Sequence, residues 1–242
     1  MQTEQVLRRN QLYGGGQAAA VRCPRSSARL ATKQAVMRYA SSIVGCLTRS
    51  WTPAVERAGF KLFPVNAVHA APRGTPSPCG PMDKDTVAFY CDDDRGIYLD
   101  WTQYIAKSAG SQESSRVAVE YTMAHEYGHH LQATSGMSSA YDDRFFAAKS
   151  ETARVAESRR NELQASCFAA AFFGANQKTL QVYGERLEDY EYHAFSGDDA
   201  DAPATERGYG SPKTNRTWAR AAFKAEGPGA CNTWAAPAKK VS

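Results

Sequence analysis

The sequence predicts an α+β fold: a mainly helical domain with a small antiparallel β-sheet packed on one long helix. Apolar residues recur at helical spacing from Thr32 to Ala58, which predicts a scaffold helix. The segments TVAFYC and IYLDW flank the acidic turn DDDRG, a pattern typical of a β-hairpin. An apolar stretch over 115–134 that ends near Gly136 predicts the second long helix.

Length and composition are those of one ordinary globular domain. The chain has 242 residues, of which 43% are hydrophobic and 22% charged, enough to bury a single core. We expect an N-terminal arm or loop at 1–32, a main domain at 33–232 and a frayed tail at 233–242. The net charge of +4 is spread along the chain rather than clustered, which argues against a nucleic-acid partner.

The weaker patterns predict shorter elements. The arm, rich in Gly, Ala, Ser and Arg, is expected to lie outside the core. A second short helix is expected after Pro53, and FKLFPVNAVHA predicts a strand interrupted by Pro64. Further helices are expected from Lys149 to Phe173 and from Gln177 to about His193, followed by a polar loop and a last helix in KTNRTWARAAFKAEG.

Six cysteines form an even set without a C-x-x-C pair, so disulfides are the favoured interpretation over buried free thiols. Cys79–Cys91 is the expected local bridge, and Cys167–Cys231 and Cys23–Cys46 are the other expected pairs. Persistent disulfides indicate an oxidising compartment, so we expect an extracytoplasmic protein, secreted or associated with the cell envelope. The opening residues hold no apolar leader, so the chain is expected to be a mature or trimmed form, with any membrane attachment lying outside it.

The motif HEYGHHLQ lies within the second long helix. His125 and His129, four residues apart, lie on one helical face, so both imidazoles can reach one zinc ion. Glu126 lies beside that face and can take a proton from a zinc-activated water. The alternative is that these histidines only form hydrogen bonds. A mostly apolar helix that buries two imidazoles and a carboxylate favours the metal.

A catalytic zinc ion needs a third protein ligand. A histidine at position 135 after a glycine at 132 would complete one known zinc motif, but these positions hold Ser135 and Gln132. Glu162, in NELQASCFAAAFFG, is the favoured ligand because it heads an apolar helical run, where an unpaired carboxylate would be costly. Two further glutamates, in KSETARVAESRR, fit a solvated helix face instead. Gly128 carries no side chain between the two histidines, which would let the helix that carries Glu162 approach the motif helix closely.

HEYGHHLQ followed by NELQASCFAA resembles the bacterial neutral zinc metallopeptidase family, whose signature is H-E-x-G-H-H-x-Q and then E-L-Q-A-D-C. RNQLYGGG, AFYCDDDRGIYLD and RTWARAAFKAEGPGACNTW are similar to family segments in the same order, so the resemblance covers most of the chain. It implies a zincin-like domain of gluzincin type, with His125, His129 and Glu162 as ligands of Zn²⁺. It also implies that a strand of the AFYC/IYLD region lies along the cleft, where an extended peptide could add.

The sequence departs from the family pattern at two positions. Ser166 stands where the family has an aspartate, which would orient a ligand histidine; serine can accept a hydrogen bond but brings no charge. Tyr209 stands where the family tends to have a histidine, and its phenol is a candidate donor to the oxyanion. His193 and Tyr141 are competing donors. The alternative for each of the three is a structural role.

The function predicted from the sequence is hydrolysis of peptide bonds, by an endopeptidase acting on peptides or proteins, through a zinc-activated water with Glu126 as general base. The alternative, motivated by Ser166, is a catalytically weak or inactive zinc-peptidase-like binding protein of the cell envelope. A purely structural zinc domain would need a fourth protein ligand near His125.

Overall fold

The computed structural model describes residues 2–23, 28–106, 111–199, 201–203 and 205–242. In these stretches the chain forms a helical body and one three-stranded sheet. The helices are α1 (Gln2–Arg8), α2 (Lys33–Arg57), α3 (Gln112–Thr134), α4 (Met137–Ala147), α5 (Glu151–Ala175), α6 (Glu185–Ala194) and α7 (Pro212–Ala225). The strands are β1 (Ala67–Ala70), β2 (Ala88–Cys91) and β3 (Gly96–Leu99).

The scaffold helix α2 is continuous. The Thr32 side chain accepts a hydrogen bond from the Ala35 amide and begins the helix. The separate helix expected after Pro53 does not exist, because α2 continues through the proline to Arg57. Proline removes one helical hydrogen bond. The neighbouring side chains of Trp51 and Val55 are 1% exposed, and their packing holds the segment in place.

The sheet is mixed, with strand order β1-β3-β2. The predicted hairpin is confirmed, since β2 and β3 pair antiparallel with Ala88 opposite Leu99. The expectation of a wholly antiparallel sheet is wrong, because β1 pairs parallel to β3. A parallel neighbour needs a long connection, and residues 71–95, which include β2, provide one. β1 is also shorter than predicted, and residues 60–66 approach it without strand pairing.

The helical predictions were correct for the long elements and failed at α4. The sequence predicts Gly136 as the end of a helix and no new helix directly after it. It adopts a left-handed conformation with φ 76°, and α4 begins at the next residue. The helix predicted from Gln177 begins instead at Glu185, after turns over 176–184. The predicted helix ending at Phe173 and the predicted last helix correspond to α5 and α7.

The N-terminal arm belongs to the core, contrary to expectation. Leu7, Leu12 and Leu30 are fully buried in the main hydrophobic cluster, and α1 packs against α4. The tail is also packed at its end, since Val241 is 3% exposed and the Trp218 indole donates to the Lys240 carbonyl. Apolar side chains that the arm and tail carry at irregular spacing therefore complete the core.

Three disulfides join the pairs expected from the sequence: Cys23–Cys46, Cys79–Cys91 and Cys167–Cys231. They link the arm to α2, the loop after β1 to the end of β2, and α5 to the C-terminal segment. Three disulfides indicate an oxidising, extracytoplasmic environment. A helix both long and apolar enough to cross a bilayer is absent from the described residues.

Helices α3 and α5 cross at Gly128. A Cβ atom at this position would lie 2.6 Å from the Ala165 carbonyl oxygen, so only glycine permits the contact. Below the crossing, the rings of Tyr127, Phe168 and Phe172 are fully buried. This close approach brings the motif on α3 next to the glutamate on α5.

Candidate metal centre

Three predicted ligands meet where α3 crosses α5. The Glu162 Oε2 atom lies 3.2 Å from His125 Nε2 and 3.4 Å from His129 Nε2. The three potential ligand atoms all lie within 4.8 Å of one another. One other group of this kind occurs in the described residues, Cys79, Cys91 and Asp93, but its sulfurs form a disulfide. The described residues therefore contain one set of two nitrogen donors and one oxygen donor, which α3 and α5 carry between them.

Gln132 fixes the tautomer of His129. Its amide nitrogen donates to the Asn161 carbonyl at 2.9 Å and to Gln164 Oε1 at 3.1 Å, so its oxygen faces His129 Nδ1 at 2.8 Å. Nδ1 must then donate, which leaves the Nε2 lone pair available for a metal. This role of Gln132 was not predicted, although its spacing of three residues from His129 on one helix could have indicated the contact.

Ser166 holds the other imidazole. Its hydroxyl lies 3.1 Å from His125 Nδ1, one helical turn after Glu162. The same hydroxyl forms a hydrogen bond with Tyr121. Burial raises the pKa of Tyr121 to about 12, although this hydrogen bond lowers it. The serine thus keeps the hydrogen bond expected of an outer partner, but supplies no negative charge to make the imidazole more basic.

The charge balance of these groups fits a bound cation. Burial lowers the pKa of His129, but the adjacent Glu162 carboxylate outweighs it and raises the pKa to about 9. Burial raises the pKa of Glu162, but the two imidazoles outweigh it and hold the pKa well below its usual range. The arrangement therefore stabilises positive charge between the rings and the carboxylate. Two imidazoles and one carboxylate are the ligand set of a catalytic zinc site.

Glu126 lies beside this donor set and is 5% exposed. Burial raises its pKa, while His125 and His129 lower it, and its carboxylate accepts a backbone hydrogen bond from Tyr90 of β2. No ion pair with lysine or arginine is formed by this glutamate within the described part of the chain. A buried carboxylate with a raised pKa at a cleft is suited to accept and release a proton.

Two recesses open at the centre. The first, of about 350 Å³, is lined by His125, Glu126 and His193 among others, and the second, of about 330 Å³, by His129, Glu162 and Tyr141. Tyr209 lines both and is 56% exposed. The sequence-predicted catalytic and ligand residues are thus brought together around one cleft.

The three candidate donors differ in their surroundings. The carboxylates of Glu162 and Glu126 raise the pKa of Tyr209, which keeps its phenol protonated and able to donate. Burial lowers the pKa of His193, which favours its neutral form, and its ring stacks on Tyr121 with centroids 6.0 Å apart. Tyr141 packs against Phe145 at the outer wall of the second recess. Of the three, Tyr209 alone lines both recesses.

His130, the third histidine of the motif, holds the sheet on α3. It is 1% exposed, its Nε2 donates to the Phe63 carbonyl at 2.8 Å, and its Nδ1 lies 3.0 Å from the Tyr90 hydroxyl. The role of His130 was not predicted from the sequence. The contact fixes β2 beside the cleft, where Ala88 lines both recesses.

Residues 5–234 match the profile of a protein family described as "Putative neutral zinc metallopeptidase". The chain belongs to this family. The resemblance found in the sequence is confirmed, and membership of this zinc metallopeptidase family implies zinc as the metal.

Curated proteins similar to this family member share 25–29% identity with it. The uncharacterized protein Rv2575 of Mycobacterium tuberculosis is 29% identical over 65% of this chain, and the chain spans 58% of that relative's length. The same values hold for the uncharacterized protein Mb2605 of Mycobacterium bovis. The uncharacterized protein YpfJ of Escherichia coli K12 is 25% identical over 81% of this chain and 71% of its own length. No solved structure matches the chain.

Proposed function

We propose that this chain is a zinc-dependent peptidase that cleaves peptide bonds within polypeptides outside the cytoplasm. One observation carries the proposal: the facing atoms of His125, His129 and Glu162 converge within 4.8 Å, with the Glu126 carboxylate beside them in an open cleft. Three protein ligands with a position left for water are typical of catalytic rather than structural zinc sites.

The side chains around the cleft divide the work of hydrolysis. A zinc ion bound by the three ligands would supply a Lewis acid that acidifies water and polarises a carbonyl group. Glu126 accepts the proton of the attacking water and passes it to the departing amine, for which its raised pKa is favourable. The Tyr209 phenol donates to the carbonyl oxygen as negative charge develops there.

The free edge of β2 aligns the substrate. β2 is the outermost strand in the order β1-β3-β2, so one of its edges has no strand partner among the residues that the structure describes. An extended peptide can pair with such an edge. His130 and Tyr90 hold this edge at a fixed distance from α3.

The rival function, a binding protein without turnover, is motivated by Ser166. The 3.1 Å contact from Ser166 to His125 favours activity, because the imidazole keeps a partner that orients it. A structural zinc site is disfavoured, since the group of potential ligands within the described ranges contains three members.

Zinc content and peptide cleavage test the proposal together. Purified protein should bind one zinc ion per chain and cleave members of an unbiased peptide library. Glu126→Gln should keep the zinc but lose at least about 100-fold in kcat/KM, since a positioned general base contributes roughly 10²–10⁴. His129→Ala should lose both zinc and activity. Turnover that survives Glu126→Gln would reject the mechanism, and zinc binding without any turnover would favour the binding protein.

Secretion or attachment to the cell envelope is part of the proposal, supported by the three disulfides. Fractionation of the producing cells, followed by thiol labelling of the recovered protein, tests it. We expect protein outside the cytoplasm with no reactive thiol. Recovery in the cytoplasm with free thiols would contradict it.

A further inference from the structure

Tyr209 lies in the segment between α6 and α7, outside any helix or strand. It lines both recesses, yet it is 56% exposed. A side chain that is more than half exposed is held only weakly by packing, so the position of its phenol depends on how the backbone of this residue is fixed. Side chains from two other places in the chain fix that backbone.

Asp198 holds the amide side of Tyr209. Its Oδ2 atom accepts a hydrogen bond from the Tyr209 amide at 2.6 Å, and its own amide donates to the Gly210 carbonyl at 3.0 Å. A carboxylate is a stronger acceptor than a neutral oxygen, so the bond to Tyr209 is the stronger of the two. Asp198 is not among the described residues that line either recess, so it acts on the cleft through Tyr209.

Asn215 holds the carbonyl side of Tyr209. It lies in the first turn of α7 and is 5% exposed, and its Nδ2 atom donates to the Tyr209 carbonyl at 2.9 Å. Because α7 packs against α5, this bond joins Tyr209 to the helix that carries Glu162. A second bond from α5 supports the same segment, since Arg159 donates to the Arg207 carbonyl at 2.5 Å.

Gly197 shows that the segment is closely packed where these bonds form. A Cβ atom at this position would lie 2.4 Å from the Gly210 carbonyl oxygen and 2.7 Å from Asn215 Nδ2. Contacts this short are not tolerated, so only glycine lets the chain before Asp198 lie against the chain after Tyr209. The two bonds to Tyr209 therefore belong to one tight junction between residues 197–198, 209–210 and α7.

We propose that Asp198 and Asn215 are positioning residues for Tyr209. They hold its amide and its carbonyl group at the same time, which keeps the phenol where the two recesses meet. The inference rests on the proposed function, in which this phenol donates to the substrate carbonyl oxygen. A donor to a developing oxyanion is effective only when it is fixed in place before the reaction.

Amide hydrogen exchange measures the junction without any need for turnover. In zinc-loaded, full-length protein labelled with nitrogen-15, Asp198→Ala should speed the exchange of the Tyr209 amide roughly fivefold, because the amide loses its acceptor. Asp198→Asn should have a smaller effect, since an amide oxygen also accepts. The matched control is Asp199→Ala, which removes the same charge from a side chain that accepts from the Asp201 amide instead. It should leave the exchange of the Tyr209 amide unchanged.

Peptide cleavage measures the consequence for the reaction. Misplacing a catalytic group by about 1 Å can cost about 100-fold in rate, so a partly released Tyr209 should lower kcat roughly tenfold. Asp198→Ala and Asn215→Ala should each show this loss per folded molecule, with KM and zinc content unchanged, and Asp198→Asn should restore most of it. In the Tyr209→Phe background, neither alanine variant should lower kcat further, because the donor that they position is absent.

Failure of this inference is distinct from failure of the peptidase proposal. Exchange and kcat that are the same in Asp198→Ala as in Asp199→Ala would overturn the inference even if wild-type protein cleaves peptides. A loss of kcat that is equally large in the Tyr209→Phe background would also overturn it, since the two residues would then act independently of Tyr209. Faster exchange in Asp198→Ala, with no turnover by wild-type protein, would support the junction and reject the peptidase.

Discussion

Two buried glutamates on α3, six residues apart, have opposite surroundings. Glu120 is fully buried and accepts hydrogen bonds from Arg186 of α6 at 2.7 and 3.0 Å and from the Tyr39 hydroxyl of α2. Glu126 is 5% exposed and has two imidazoles and one backbone amide as neighbours. A guanidinium neutralises the first carboxylate, whereas no lysine or arginine among the described residues pairs with the second.

The difference shows how one helix serves structure and chemistry. Burial raises the pKa of both carboxyls, but Arg186 opposes this at Glu120 and makes that carboxylate a fixed junction of α2, α3 and α6. Glu126 remains poorly compensated, so its protonation can change. The partner, rather than the depth of burial, separates a structural carboxylate from a candidate general base.

The largest change in the free energy of unfolding is expected for Glu120→Gln. Removing this charge leaves the buried Arg186 guanidinium with Glu113, 2.7 Å away, as its remaining carboxylate partner. The loss should approach the roughly 3–5 kcal/mol that is typical of breaking a buried ion pair. Denaturant unfolding of the wild type and the variant measures the loss, and peptide cleavage per folded molecule should stay unchanged. A loss below about 1 kcal/mol would show that the two halves of α3 do not differ as the contacts indicate.

Gly128→Ala probes the packing of the half of α3 that carries His125, Glu126 and His129. The new Cβ would meet the Ala165 backbone at 2.6–2.8 Å, so α3 and α5 must separate, at a cost of about 1–3 kcal/mol. Zinc affinity should fall as well, because the ligands come from both helices. Gly45→Ala is the control, since its Cβ would meet only Arg49 at 3.7 Å. It should stabilise α2 by about 0.5–1 kcal/mol, and equal effects of the two variants would contradict the close crossing.

Variants at Ser166 test whether the hydrogen-bond partner of His125, and its charge, control zinc affinity. Ser166→Ala should weaken zinc binding about tenfold, because His125 loses its orienting partner. Ser166→Asp should strengthen it by roughly 10–100-fold, because the imidazole becomes more basic. Competition with a chromophoric chelator measures both. Unchanged affinity in both variants would show that this contact does not orient the ligand.

Zinc affinity should depend on pH through the protonation of His129. Because the pKa of His129 is raised to about 9, zinc must displace a proton below that pH. Affinity should therefore rise about tenfold per pH unit from pH 7 toward 9. In chelator-treated protein, the stability from protonated His129 is fully present below about pH 6.5 and lost as pH rises through about 9. A flat affinity between pH 7 and 8.5 would contradict this coupling.

The smallest effect is expected for Glu126→Gln on stability. A raised carboxyl pKa means that the ionised form opposes folding at neutral pH, so removing the charge should leave the free energy of unfolding unchanged or increase it by up to about 1 kcal/mol. Unfolding of zinc-free protein measures this. A loss similar to that of Glu120→Gln would show that Glu126 has a structural counterion after all.

Patterns local in the chain were predicted well. The spacing of His125 and His129, the β2–β3 hairpin and the long helices follow from helix and strand periodicity, and they are present. The family and the three disulfide pairings are confirmed too. The catalytic roles of Glu126, Tyr209 and His193 stay predictions, although the structure brings all three to one cleft.

Patterns that depend on distant partners were missed. Glu120 looked like part of an apolar helix because Arg186 lies 66 residues away in the sequence. The parallel pairing of β1 depends on the path of the chain over 71–95, and the burial of Leu7 depends on the core that receives it. None of these follows from periodicity, since hydrophobic spacing reports which face is buried and not what covers it.

The sequence alone determined that two imidazoles and a carboxylate share one region of a helix, because residues four apart in a helix are neighbours whatever the rest of the chain does. Only the tertiary structure decided that Glu162 completes the set, that Gln132 and Ser166 orient the imidazoles, and that Arg186 neutralises Glu120 instead of Glu126. Those outcomes depend on the crossing of α3 and α5 at Gly128, a packing contact between residues far apart in sequence.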